Sequence, residues 1–190
     1  MKHYFVIGNP IGHSLSPKLH NYWLKKNNIN AVYDKKETNE EDLKSMLLKV
    51  KEKKINGINV TVPYKKTVIP YLDKLTAEAE QTQSVNTIIL KNNNLEGHNT
   101  DIFGFDKAIK NINFNIKHKK IFILGAGGVV PSIIFALNKM NVSKIIISNR
   151  TKKKAENLKS KFQYLEILDW GDIIDFDVII NATSLGLNNE

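Results

Sequence analysis

The sequence predicts an α/β fold in two halves, each built on a mostly parallel sheet. Three observations carry this expectation. Short β-branched runs alternate with segments whose apolar residues recur at helical spacing. The run 120–124 is apolar after its first lysine and stops at Gly125, the pattern of a strand buried on both faces. Between the halves, Ile102, Phe105, Ile109 and Ile112 form one helical face suited to a connector.

In chain order, Phe5, Val6 and Ile7 lead into Gly8-Asn9-Pro10 as strand and turn. Ser16-Pro17 has the form of an N-cap with proline in the first helical turn, opening a helix through Leu19, Trp23 and Leu24. A short strand over 31–36 follows. Thr38-Asn39-Glu40-Glu41 then has capping-box spacing ahead of Leu43, Met46, Leu47 and Val50, completing a βαβ unit. Strands are expected over 58–62, 84–90 and 95–98, the last two joined by a turn at Asn92-Asn93-Asn94. After the helix that begins near 101, the second half runs strand 120–124, helix, strand 145–148, helix 152–162, a weak strand near Leu165 and a strong strand 176–180. No helix follows to cover the last strand, which predicts a partial chain.

The chain has 190 residues, 42% hydrophobic and 25% charged, which places it among globular chains and away from disorder. It has no cysteine, which excludes disulfides and thiolate metal sites and fits a cytoplasmic location. The five histidines show no metal-ligand spacing, so no metal site is expected. The first strand is too short for a signal peptide or a span, so no membrane partner is expected. The net charge of +9 comes from 27 lysines and one arginine scattered over polar helix faces. Aromatics do not interleave with them as a single-strand binder requires, which argues against a nucleic-acid partner.

Gly125-Ala126-Gly127-Gly128-Val129-Val130 follows the buried strand and opens a helix, the setting of a loop whose backbone N–H groups face a pyrophosphate. Val130 stands where the third glycine of that motif would be, and Pro131 fits the first helical turn. The next strand ends Ser148-Asn149-Arg150-Thr151, without the carboxylate that accepts from the 2′-hydroxyl of NAD. Arg150, the only arginine, is a fork donor suited to a 2′-phosphate, so NADP is favoured.

In Asn59-Val60-Thr61-Val62-Pro63-Tyr64-Lys65-Lys66, Val60 and Val62 are expected to pack and Pro63 to end the ladder. Lys65 then emerges past the carboxyl end of a strand, where α/β sheets bind ligands. A partly desolvated lysine paired with a carboxylate can exchange a proton with a hydroxyl or carbonyl, and Asp101, also just past a strand, is its candidate partner. Asp101 as a helix cap and Lys65 as one more solvated lysine are the competing readings.

These segments resemble shikimate dehydrogenases. The resemblance runs through Gly8-Asn9-Pro10-Ile11-Gly12-His13-Ser14-Leu15-Ser16-Pro17, Asn59 to Lys65, Val85-Asn86-Thr87, Asn99-Thr100-Asp101, Gly125-Ala126-Gly127-Gly128, Asn149-Arg150-Thr151 and Asn181-Ala182-Thr183-Ser184, across the whole chain. It implies reversible reduction of 3-dehydroshikimate to shikimate by NADPH, in aromatic amino-acid biosynthesis. Ser14 and Ser16 would hold the substrate carboxylate, Thr61, Asn86 and Asp101 its ring hydroxyls, and Lys65 and Asp101 would form the catalytic pair. Gly125, Ala126, Gly127, Gly128, Val129, Asn149, Arg150, Thr151, Lys154, Thr183 and Ser184 would hold NADP.

It further implies a substrate-binding and catalytic domain over 1–101, a linking helix over 102–117, and an incomplete Rossmann NADP-binding domain over 118–190. The family pattern continues into further strands and a helix bearing a glutamine that contacts substrate. A quinate/shikimate dehydrogenase with relaxed cofactor use and a fragment that only binds ligand stay open as alternatives. So does a homodimer.

Overall fold

The computed structural model describes residues 1–186, and its contacts divide the chain into two units, Met1–Thr100 and Asp101–Glu190. The first unit contains β1 (Lys2–Gly8), α1 (Ser16–Lys26), β2 (Ala31–Glu37), α2 (Glu40–Lys51), β3 (Gly57–Val60), β4 (Lys74–Leu75), α3 (Ala77–Thr82), β5 (Thr87–Lys91) and β6 (Asn94–His98). They form a six-stranded sheet in the order β2-β1-β3-β5-β6-β4. The β1, β2 and β3 pairings are parallel, while β5 runs antiparallel to both β3 and β6. Reversal at β5 brings its amino end to the same sheet edge as the carboxyl ends of β1, β3 and β6. In register, Lys35, Val6, Asn59, Thr87 and His98 lie across the sheet at the margin of that edge.

Leu43, Met46, Leu47 and Val50 of α2 are buried with Ile7, Ile58, Val60 and Ile88, as their spacing predicts. Several local expectations are corrected. Ser16 is the first residue of α1 rather than its cap: Leu15 holds that position, and the Ser14 hydroxyl accepts the Ser16 N–H at 3.3 Å. At α2 the cap is Asn39, whose Oδ1 accepts the Asp42 N–H at 2.7 Å, and not Thr38. Thr38 is engaged elsewhere, its hydroxyl donating to the Lys36 carbonyl and its own carbonyl accepting from the Tyr64 hydroxyl.

β3 ends at Val60, before Pro63. The Thr61 N–H still reaches the Ile7 carbonyl at 2.9 Å, and the Tyr64 N–H then closes a turn on the Thr61 carbonyl at 3.0 Å. Val62 is thereby turned out and is 59% exposed, while Tyr64 and Val68 are buried instead. The strand expected over 84–90 begins at Thr87, because the Val85 N–H turns to the Lys65 carbonyl at 2.8 Å. The hairpin turn is two residues, Asn92 and Asn93, both at positive φ (48° and 61°), which matches the twist of the flanking strands. Asn94 is already paired with Lys91. β4 and α3, short and largely polar, lack a periodic apolar signal.

The second unit contains α4 (Asp101–Asn111), β7 (Lys120–Leu124), α5 (Val130–Lys139), β8 (Lys144–Ser148), α6 (Lys152–Lys159), β9 (Leu165–Leu168) and β10 (Val178–Asn181). Its sheet is wholly parallel, in the order β10-β7-β8-β9. Phe105 and Ile109 of α4 pack on a core made by Ile121, Ile123, Ile134, Leu137, Ile145 and Ile147 among others. Ile112, expected on the same face, lies past the helix end and is 69% exposed. α6 stops at Lys159, short of the expected 162, yet Phe162 is still buried. The last strand starts at Val178 rather than 176, since Phe176 lies against Phe122 and the Asp177 carboxylate accepts the Lys120 N–H at 2.7 Å.

The order reverses between β7 and its neighbours: β8 lies on one side and β10 on the other. Such a reversal opens a crevice at the carboxyl ends of the strands.

Candidate functional site

At the carboxyl edge of the first unit, polar side chains hold one another. The Tyr33 hydroxyl donates to Asn59 Oδ1 at 2.7 Å. Asn59 Nδ2 donates to the Asn86 carbonyl (3.1 Å) and to Thr87 Oγ1 (2.9 Å), and the Thr87 hydroxyl donates on to Asn86 Oδ1 at 3.1 Å. The Thr100 N–H donates to the same oxygen at 3.0 Å, and Asn86 Nδ2 donates to Thr100 Oγ1 at 2.9 Å. Burial keeps the Tyr33 hydroxyl protonated far above its ordinary range.

Lys65 follows the turn after β3 and is half-buried, and its backbone carbonyl is bonded to Val85, the residue before Asn86. Thr61 is half-buried at the strand end, and Ser14 and Ser16 are half-buried in and after the loop that follows β1. That loop is anchored by Ser14 N–H on the Ile11 carbonyl (3.0 Å), by Ile11 N–H on Glu37 Oε2 (3.3 Å), and by Lys35 Nζ on the Gly12 carbonyl. Ser14, Ser16, Thr61, Lys65 and Asn86 therefore all belong to segments leaving one edge of one sheet. Asp101 opens α4 at the start of the second unit and is half-buried. Of the network members, Asn59, Thr87 and Thr100 were named from the sequence only as parts of motifs, without a role, and Tyr33 was not named; an asparagine inside the apolar run of β3 was the available signal.

In the second unit the crevice beside the order reversal is a cavity of about 290 Å³. Its lining includes Gly125, Ala126 and Gly127 after β7, Asn149, Arg150 and Lys154 after β8, and Thr183 and Ser184 after β10. Gly125 has φ +104°, and a Cβ there would come within 2.8 Å of the Ala182 carbonyl oxygen, so the turn and the close approach both require glycine. The Gly125 N–H donates to the Ser148 carbonyl at 2.8 Å and the Ala182 N–H to the Leu124 carbonyl at 2.8 Å, locking the loops to the strands. Val130, in place of the third glycine, is fully buried and is the first residue of α5. Gly128, Val129 and Thr151 lie outside the lining, whereas Trp170, Ala182 and Leu185 belong to it and were not anticipated. A glycine cradle at a strand end, open crevice space and two exposed cationic side chains fit the phosphates of a dinucleotide.

A parallel sheet with this reversal and this glycine turn, joined to a second α/β unit with a polar carboxyl edge, defines a dinucleotide-binding protein of the Rossmann class. Residues 6–88 match the family described as shikimate dehydrogenase substrate binding domain, and residues 106–187 match shikimate / quinate 5-dehydrogenase. The chain is 54% identical to shikimate dehydrogenase (NADP(+)) of Pelagibacter ubique, over all of this chain and 71% of that protein. The crystal structure of shikimate dehydrogenase from Aquifex aeolicus superposes with a TM-score of 0.93 at 42% identity, covering 100% of this chain and 71% of that one. The Thermus thermophilus shikimate 5-dehydrogenase in complex with NADP(H) and shikimate gives 0.89 at 32% identity, covering 98% and 70%. The chain belongs to the shikimate dehydrogenase family.

Among the described residues, no helix is long and apolar enough to cross a membrane.

Proposed function

We propose that this chain catalyses the reversible NADPH-dependent reduction of 3-dehydroshikimate to shikimate, working in the cytoplasm. The observation that carries the reading is the gathering of Ser14, Ser16, Thr61, Lys65 and Asn86 on segments at one sheet edge in a chain of this family. Relatives named NADP(+)-dependent and a neighbour solved with NADP(H) and shikimate support the choice of ligands.

In this reading the Ser14 and Ser16 hydroxyls donate to the substrate carboxylate, and Thr61, Asn86 and Asp101 bind the ring hydroxyls. The glycine turn at Gly125 and Gly127 faces the pyrophosphate, and Arg150 and Lys154 take the 2′-phosphate. NADPH supplies the hydride. Lys65 gives a proton to the carbonyl oxygen as the alcohol forms and accepts it in the reverse direction, with Asp101 as its partner carboxylate. The residues of the Asn59–Asn86 network keep the donors of this edge in place.

The test is shikimate-dependent reduction of NADP, followed by nicotinamide absorbance, with quinate and NAD assayed in parallel. Lys65→Ala is expected to lower kcat by roughly 10²–10⁴-fold, the range for a positioned proton donor, while calorimetry shows NADP binding retained. Equal turnover in Lys65→Ala, or quinate and NAD used as well as shikimate and NADP, would refute the assignment.

A further inference from the structure

We propose that Trp170 is the platform on which the adenine ring of the dinucleotide stacks. The inference rests on the reading above that the second unit takes NADP, and deepens it by naming what holds the base. Trp170 follows β9 and lines the same cavity as Arg150 and Lys154. It belongs to neither buried core and is 43% exposed, so packing does not account for it.

Its placement is fixed. The Ser148 hydroxyl donates to the Asp169 carbonyl at 3.1 Å, tying this segment to the end of β8, whose Ser148 is paired in register with Leu168. The Asp169 carboxylate meets Lys152 Nζ of α6 at 2.6 Å. The Asp172 N–H then closes on the Asp169 carbonyl at 3.2 Å, and Gly171, at φ +101°, supplies the left-handed third position of that turn. Trp170 is the second residue of the turn, presented beside Asn149 and Arg150. The rest of the lining is glycine, alanine, polar and cationic residues, and Leu185. The indole is thus the flat aromatic face of a cavity whose polar and cationic groups suit phosphate. An aromatic face beside cations is the arrangement that binds a base through its π-surface.

The chain has two tryptophans, so Trp23→Phe in the first unit leaves Trp170 as the only indole. Its fluorescence is titrated with adenosine 2′,5′-bisphosphate and, separately, with nicotinamide mononucleotide. The expected result is saturable quenching by the adenosine compound and none by the mononucleotide. By calorimetry, Trp170→Ala raises the Kd for the adenosine compound about tenfold and Trp170→Phe by less than about threefold, since a benzyl face still stacks. An unchanged Kd in Trp170→Ala, with no quenching, overturns the proposal and leaves the NADP reading standing. Failure of the parent chain to bind either the adenosine compound or NADP overturns that reading itself.

Discussion

In the first unit the candidate binding edge is furnished by side chains that hold one another, whereas in the second the backbone does the holding. Asn59, Asn86 and Thr87 each serve fold and site together, because the hydrogen bonds that close the β3–β5–β6 edge also orient the groups proposed to meet substrate. Around the second cavity, Gly125 and Ala182 set the loops through main-chain bonds, and Arg150 and Lys154 stand exposed. The difference teaches where stability and binding can be separated. They are coupled in the first unit and divisible in the second.

Substitutions rank by how deeply they cut into that contrast. The largest effect is that of Lys65→Ala on turnover, given above. Gly125→Ala comes next: with φ at +104° and a carbonyl 2.8 Å from the new Cβ, it is expected to destabilise the second unit by about 2–4 kcal/mol, read as a lower Tm. Asn59→Leu strands the Tyr33 hydroxyl and leaves the Asn86 carbonyl with the Val60 N–H as its donor, and a loss of about 1–3 kcal/mol is expected together with weaker shikimate binding. Retained stability with lost binding would break the proposed coupling. Arg150→Leu should shift the Tm little, as an exposed residue, while raising the Kd for NADP roughly tenfold or more and leaving that for NAD nearly unchanged.

The smallest effect is a pH dependence. Hydrogen bonds from Lys51 Nζ and then from the Leu95 N–H hold the Asp73 carboxyl below its ordinary range. A group depressed in the folded state adds stability above its unfolded pKa and loses it as pH falls through the folded value. Asp177, held down first by the Lys120 N–H, behaves alike in the second unit. Both units should therefore lose stability in acid, below about pH 4. Asp73→Asn should flatten that slope in a series of Tm measurements against pH.

Much of this was legible from sequence because periodicity and glycine placement record backbone requirements. The α2 stripe and the β7–glycine–α5 passage are cases where one pattern admits one structure. Caps were less legible: Thr38 and Ser16 have suitable side chains, but the Thr38 hydroxyl turns back to the Lys36 carbonyl, and Ser16 lies inside the first turn with its N–H on the Ser14 hydroxyl. Val62 continued the alternation of β3 on paper, and only the turn closed by Tyr64 on Thr61 removes it from the sheet. Trp170 gave no signal, because its role depends on the β9 turn meeting the end of β8.

The central claim is that the polar edge of the first unit carries substrate-binding groups and the crevice of the second unit holds the dinucleotide. Calorimetry of shikimate and of NADP on Asn86→Ala and Arg150→Leu tests it most directly. The account predicts that Asn86→Ala weakens shikimate and spares NADP, and that Arg150→Leu does the reverse. Loss of both ligands in both variants, with the fold intact by circular dichroism, would contradict it.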